Sequence, residues 1–388
     1  MTRKFKMLSV LAASLTLALA LSGCGGSSAK SDTIKIGGNL EMTGGSASYG
    51  ISSKNAIELA IKQINDKGGV NGKKLSLVVA DNKSEATEAT NAMQKLVTQD
   101  KVVGVIGPNL SSAVIAATAI SGGAKVPDIT PMGTNPRVTV DDSGKVKPYN
   151  FRACFIDPFQ GTVMARFVLD TLHLKRAAVM IDNSSDYSKG LAQFFIEQFE
   201  KGGGTVVAQE GYMQKDTDFK ATLTTMKAAN PDFLYIPGYY QEVGMIVKQA
   251  KELGMNIAMG GGDGWDSQKL TEIALPNNLN NCYFSSLYSP EDDSALNKEF
   301  VAAYQKEYKA KPDVFAALAY DSLLLYAKAM EAAKSEEPEK IAKALEGLKG
   351  FQGVSGPVEF DASHNPIKAA VIIELKDGNQ TFRTKVNP

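Results

Sequence analysis

Residues 102–120, VVGVIGPNLSSAVIAATAI, carry an apolar run into Gly107-Pro108 and then place Ser111 and Ser112 where a small-residue helical pattern begins. Backbone N–H groups and hydroxyls converge at such a start, and an anion is attracted there. Other polar and aromatic residues also directly follow apolar runs. They are Tyr49 in GNLEMTGGSASYG, Thr134 in PMGTNP, and Tyr187 in DNSSDYSKG. Further along come Tyr239, Tyr240 and Glu242 in PGYYQE, and Asp263 and Trp265 in GGGDGWDS. Each has a plainer reading alone: Ser111 as a helix cap, Asp263 as a turn residue between glycines, Tyr239 as packing at a core edge. Together they offer hydroxyls to an anion, one carboxylate to a cation and aromatic walls to an apolar group. That combination matches a zwitterion with a hydrophobic side chain.

Catalytic chemistry has less support. GGVNGKK is one residue short of a phosphate loop and lacks the hydroxyl residue after its lysine, so it reads as a helix stop and turn. No GxSxG occurs, and no GxGxxG follows the first strand pattern. His173 and His364 have no Cys or His partner at metal-ligand spacing. Asp141-Asp142 and Glu291-Asp292-Asp293 sit in polar loops as solvated charge. No enzyme activity, cofactor or metal is expected. The formal net charge of zero gives no footprint for nucleic acid.

The N-terminus reads as an export signal. MTRKFK is basic, MLSVLAASLTLALAL is apolar, and SGCGGSSAKS follows. The apolar stretch is too short for a membrane span. LSGC, residues 21–24, resembles a bacterial lipobox, which makes Cys24 the acylated first residue of the mature chain. Residues 1–23 are then a lipoprotein signal peptide and 24–31 a flexible tether. Two acyl chains suffice for stable attachment. The protein is expected outside the cytoplasm, at the outer face of the cytoplasmic membrane or in the periplasm, as a monomer whose only membrane contact is the anchor. Cys154 and Cys282 lie in apolar runs and are expected as buried free thiols, because a domain of this size needs no staple.

The elements that must position the site alternate. TIKIGG, KKLSLVVAD, KVVGVIG and KVPDITP read as strands separated by amphipathic helices, and the pattern resumes from KRAAVMID to NIAMGGG. Val243, Ile246, Val247, Ala250 and Leu253 form one apolar helix stripe. Helices are expected near 293–309, 313–332 and 337–349, then a strand and a hairpin turning at Asp377-Gly378. The fold class is α/β, with two doubly wound parallel-sheet lobes. In such sheets ligands bind beyond the carboxyl ends of the strands, where the candidate residues fall.

The motifs IKIGGNLEMTGGSASYG, AIKQINDKGGVNGKKLSLVVADN, VVGVIGPNLSS, DITPMGTNP, DYSKGLAQ, DFLYIPGYYQEVGMIVKQAKELG and GGGDGWDS together resemble the branched-chain amino acid binding proteins of bacterial ABC importers. The resemblance covers the chain beyond the leader. It implies the type I periplasmic binding protein fold, with lobes of 32–154 plus 288–354 and 157–286 plus 357–388, joined by a three-strand hinge. It also implies a free amino acid as ligand and an ABC permease as partner. By resemblance, Ser111 and Thr134 hold the α-carboxylate and help with the ammonium, Asp263 receives the ammonium, Tyr187 and Tyr239 close over the ligand, and Tyr49 flanks its side chain. Ser112, Met132, Gly133 and Trp265 complete the expected pocket. The disulfide of well-known members is absent, since Leu110 stands in this chain and no cysteine lies near Asp81. Met132 and Trp265 replace smaller pocket residues, so Leu, Ile or Val, an aromatic or γ-amino acid, and an amide remain open as ligands. An exported enzyme on a doubly wound scaffold is the remote alternative.

Overall fold

Two sheets organise the chain in the computed structural model, which describes residues 33–388. The expected signal segment, the tether and Cys24 lie outside the described residues. The first sheet has the order β2-β1-β3-β4-β5 and is parallel throughout. Its strands are β1 (Thr33–Leu40), β2 (Lys74–Asp81), β3 (Gly104–Ile106), β4 (Asp128–Thr130) and β5 (Asn150–Arg152). Helices α1 (Ala47–Asp66), α2 (Ala86–Lys95) and α3 (Ser111–Ala124) make the crossovers. Every residue of β3, β4 and β5 is buried, as both faces of a covered parallel sheet require. GGVNGKK forms the anticipated turn, closed by a Val70–Lys73 bridge.

The second part runs α4 (Asp157–Arg166), β6 (Arg176–Asp182), α5 (Asp186–Lys201), β7 (Thr205–Tyr212), α6 (Lys220–Ala228), β8 (Phe233–Tyr235), α7 (Tyr240–Glu252), β9 (Ala258–Gly261), α8 (Gln268–Ala274) and β10 (Cys282–Ser286). Helices α9 (Ala295–Tyr308), α10 (Val314–Ala333) and α11 (Pro338–Glu346) follow. The chain ends in a ribbon of β11 (Phe351–Gly353) and β12 (Gly356–Val358), then β13 (Ala370–Lys376) and β14 (Asn379–Val386). The second sheet is ordered β14-β13-β10-β9-β8-β6-β7. It departs from the parallel expectation at one edge, where β13 runs antiparallel to β10 and β14 antiparallel to β13. The turn explains the last pairing. Asp377 and Gly378 both have positive φ, 49° and 76°, a tight hairpin that joins only antiparallel strands.

The chain passes between the sheets three times: after β5, after β10 and after β12. On the second passage α10 packs along α1 and behind β3 and β4. The Tyr326 hydroxyl lies 2.8 Å from the Val105 carbonyl and 2.7 Å from that of Pro127, locking α10 to the first sheet. On the third, buried Asp321 of α10 accepts from the Val354 and Ser355 N–H groups at 2.8 and 2.9 Å. Lys368 donates to the Ser355 carbonyl at 3.1 Å. Burial pulls the Lys368 pKa down to about 8, and Asp321 opposes that shift. A Cβ at Gly353 would lie 2.3 Å from an Asp321 oxygen, so only glycine lets the strand approach.

Helix α4 was not anticipated, because DPFQGTVMAR contains Pro158 and Gly161. Pro158 falls in the first turn, where its missing N–H costs nothing. Gly161 packs so tightly on α5 that a Cβ would meet Phe194 and Phe195 at 2.8 Å. Packing on the neighbouring helix overrides propensity here.

Cys154 and Cys282 are free and buried, and burial pushes both thiols up to about 12. The folded protein at pH 8 should resist a maleimide reagent, since the thiolate is the reactive form. Unfolding without reductant should expose both, and mass spectrometry should find an adduct on each. A disulfide-linked peptide pair would contradict the structure.

Candidate functional site

The first wall is built around a buried acid. Glu41, at the end of β1, accepts from the Asn109 N–H at 3.0 Å, the Asn109 side-chain amide at 2.7 Å and that of Asn82 at 3.2 Å. Burial raises its pKa, and the Asn109 and Asn82 donors work against that shift. The network fixes the loop before α3. Gly107 sits at φ 91°, where a Cβ would lie 2.4 Å from the Asn39 carbonyl. Helix α3 begins at Ser111, and its N-cap Leu110 offers no side-chain bond. The Ser111 hydroxyl is therefore not the cap. It accepts from the Asn135 N–H at 3.2 Å, tying α3 to the PMGTNP loop. Thr130 holds the same loop, donating to the Pro108 carbonyl at 2.6 Å and accepting from the Gly133 N–H at 2.8 Å. A Cβ on Gly133 would press on Thr130 and Val114. Met132 is buried beside it, and Thr134 is fully buried.

The opposite wall comes from the second sheet. Asp263 opens a single 3₁₀ turn after β9 and is buried. Its Oδ1 accepts from the Tyr187 hydroxyl at 2.7 Å, and that hydroxyl accepts from the Gly264 N–H at 3.2 Å. Burial raises the Asp263 pKa to about 6, with Tyr187 and Gln160 favouring its charge. Tyr239 stacks on Tyr187 with ring centres 5.2 Å apart. Tyr49, reaching over from α1, stands edge-on to Tyr239 and Tyr240 and lies flat on Phe315 at 3.8 Å. Its hydroxyl donates to the Gly264 carbonyl.

Between these walls the pairing of polar atoms is incomplete. Among the described residues, Thr134 Oγ1, Asp263 Oδ2, both Asp157 carboxylate oxygens, Gln160 Oε1, Tyr235 Oη and Ser285 Oγ are buried without a hydrogen-bond partner. Each such atom costs about 1–3 kcal/mol, and native structures hold few. Their concentration here makes this the candidate site, and its chemistry suits a ligand with several donors. Among the described residues, no cluster of three His, Cys, Asp or Glu could hold a metal ion.

Two candidates are placed differently from expectation. Ser112 is half-buried and faces the other wall, accepting from the Asp186 N–H at 2.9 Å. Trp265 turns its indole into the second lobe and donates to the Ile236 carbonyl at 2.9 Å. It borders a separate groove, beside Ile51, Asp313 and Phe382. Glu242 accepts from the Lys215 N–H, and Tyr240 accepts from Ser48. His364 stacks on Phe151, with Nδ1 2.9 Å from the Asn150 carbonyl. Sequence reasoning missed Asp157, Gln160 and Asn135. The only signal for Asp157 was an acid directly after a strand-like run.

The walls are joined in a closed arrangement. Asn135 donates to the Asp186 carbonyl at 2.8 Å, next to the Ser112 contact. Ser48 and Ser267 hydroxyls meet at 2.8 Å, and Lys215 pairs with Glu85. Asp266, just past the 3₁₀ turn, accepts from the Val314 N–H at 2.9 Å and so caps α10 from the opposite side.

A family model described as periplasmic binding protein matches residues 33–380. The chain belongs to the periplasmic binding protein family. It is 31% identical to the leucine-, isoleucine-, valine-, threonine-, and alanine-binding protein of Pseudomonas aeruginosa, over 89% of this chain and 91% of that one. The substrate-binding protein LivJ of Streptococcus pneumoniae, solved with isoleucine, is 40% identical at a TM-score of 0.86, covering 92% of this chain and 100% of that one. The leucine-binding protein LivK of Thermotoga maritima is 36% identical at a TM-score of 0.87, covering 92% and 99%. A solute-binding protein of Rhodopseudomonas palustris BisB5, solved with 3,4-dihydroxybenzoic acid, is 27% identical at a TM-score of 0.81, covering 92% and 98%. The family is one of extracytoplasmic solute-binding proteins.

The Ser112 and Asn135 contacts should help hold the closed arrangement. A typical hydrogen bond contributes about 0.5–1.5 kcal/mol. The Ser112→Ala, Asn135→Ala double variant should therefore shift the open-to-closed ratio about five- to 150-fold toward open. Distances between spin labels on exposed positions of α2 and α6 report that ratio.

Proposed function

We propose that the protein captures a free amino acid, of the leucine, isoleucine or valine type, between two closing lobes and presents it to an ABC permease. It performs no catalysis. The lobes of this reading are 32–154 with 288–354 and 157–286 with 357–388, turning about three connecting strands. Hinge closure around a ligand is the motion described for periplasmic binding proteins as a class. The observation that carries the reading is Asp263. Its Oδ1 is engaged by Tyr187 while its Oδ2 is buried and unpaired, so it presents one charged acceptor to a cation. Ser111 and Thr134, at the start of α3 and in the facing loop, suit a carboxylate. Tyr49, Tyr187, Tyr239 and Met132 give an apolar enclosure. Isoleucine bound to LivJ, and leucine, isoleucine and valine among the ligands that name the P. aeruginosa relative, favour branched side chains.

A second reading comes from the R. palustris protein, whose bound ligand is an aromatic acid. Such a ligand has no ammonium, so Asp263 Oδ2 would meet at most a neutral hydroxyl and its buried charge would stay costly in the closed cleft. That cost favours the amino acid.

Leucine titration by calorimetry separates the two. Losing one partner of a buried charged pair costs about 2–5 kcal/mol. Asp263→Asn should therefore weaken leucine binding about thirty-fold to a few thousand-fold. A loss under threefold would remove the ammonium assignment. pH gives an independent check. Ammonium binding needs the ionised acid, and Asp263 titrates near 6 in the unliganded protein. Leucine affinity should fall as pH drops below about 6, approaching tenfold per unit, and the Asn variant should lose that contribution.

We also propose that Cys24 is acylated and holds the protein at the outer face of the cytoplasmic membrane or in the periplasm. The support is the LSGC segment behind a short apolar core. No helix among the described residues is long and apolar enough to cross a membrane. Cys24→Ala should move the protein from the membrane fraction to the soluble fraction on fractionation of expressing cells.

A further inference from the structure

An α-ammonium has three N–H donors, and the proposed site must supply three acceptors once water has left. Asp263 supplies one, because its other oxygen is engaged by Tyr187. The unpaired Thr134 hydroxyl oxygen is a second. A third is needed close to both.

Asp157 meets that need. It is fully buried at the first position of α4, immediately beyond the passage from the first sheet to the second. Its N–H donates to the Thr134 carbonyl at 3.1 Å, which fixes it beside that residue. The Thr134 hydroxyl lies near enough to favour its charge, yet the two make no hydrogen bond of ordinary geometry. Neither carboxylate oxygen has a donor. The nearby cation, Arg152, is committed elsewhere: its guanidinium donates to the Gly133 carbonyl at 2.7 Å, the Asn135 carbonyl at 2.9 Å and the Thr139 hydroxyl at 3.2 Å. Gly190 of α5 closes the other side, since a Cβ there would lie 3.0 Å from Asp157 Oδ2. The carboxylate is thus walled in and lacks a donor. Burial first, and then the neighbouring Asp263 charge, raise its pKa to about 8, so a cation placed between the two acids relieves both.

We propose that Asp157 shares the ligand's ammonium with Asp263 and Thr134, so that the cation is held by two carboxylates rather than one. The inference rests on the amino acid reading of the site. The ammonium then bridges α4, the 263–265 turn and the 132–135 loop of the opposite wall.

The test compares leucine with 4-methylpentanoate, which keeps the carboxylate and side chain but lacks the ammonium. Calorimetry on the full chain, wild type and Asp157→Asn, with thermal melting to confirm folding, gives the primary result. Charge-assisted hydrogen bonds contribute about 1.5–3 kcal/mol, so leucine affinity should fall about ten- to 150-fold. Affinity for 4-methylpentanoate should change less than threefold. Equal losses for both ligands, or a leucine loss below threefold, would overturn the proposal and leave Asp157 a structural residue. If the analogue binds too weakly to titrate, or if Asp157→Asn does not fold, a crystal structure of the wild-type leucine complex decides. An Asp157 oxygen within 3.2 Å of the leucine nitrogen supports sharing, and a separation beyond 4 Å refutes it. Failure of wild type to bind any amino acid would instead refute the parent reading, so the two failures are distinct.

Discussion

A buried carboxylate with only half of its hydrogen-bonding satisfied is the constraint around which this molecule is arranged. An ionised acid removed from water needs donors or a counter-charge, or it takes up a proton. Asp263 receives one donor from Tyr187 and is then enclosed by Tyr239, Tyr49 and the opposite wall. Each aromatic residue lowers the local polarity and makes the unpaired oxygen more costly. An enclosure of this kind selects for a cation more strongly than an open cleft would, because water no longer competes.

The same logic governs the first wall with the opposite outcome. Glu41 is equally buried, yet it is surrounded by Asn109 and Asn82 donors and spends its oxygens on shaping the loop before α3. One acid is saturated and builds the scaffold. The other is left unsaturated, with one oxygen free for the cation proposed above. Burial alone would not separate the two roles, whereas the count of donors does.

Much of this arrangement could be read from the sequence, and the exceptions have physical reasons. Ser111, Thr134, Tyr187, Tyr239 and Asp263 each follow a short apolar run, and parallel strands deliver such residues to one edge of the sheet. Ser112 was misplaced because adjacent helical residues point about 100° apart, so its hydroxyl meets Asp186 instead of the cleft. Trp265 was misplaced because two residues along a tight turn reverse a side chain's direction, carrying the indole to Ile236. Asp157 escaped notice because its helix carries a proline in the first turn and contains a glycine, both of which argue against a helix in isolation. The mixed edge of the second sheet was half legible. The Asp377-Gly378 turn revealed the hairpin, but no local pattern told which strand it would join.

Helix α10 joins features that lie far apart in the chain. Its first N–H is held by Asp266 from across the cleft, and Asp321, two turns on and about 10 Å along the axis, grips the strand at Val354 and Ser355. Tyr326, one turn or so further, is bonded to the first sheet. A rod held at its tip, its middle and its far side behaves as a strut. When Asp266 withdraws, the Val314 N–H loses the acceptor it has in this arrangement. The Val314 amide then becomes exchangeable with solvent, while Asp313 still holds the Ala316 N–H and the rest of the rod stays anchored. Opening is thereby written into the hydrogen-exchange rate of one amide at the mouth of the cleft, so lobe position can be followed there without any label or ligand.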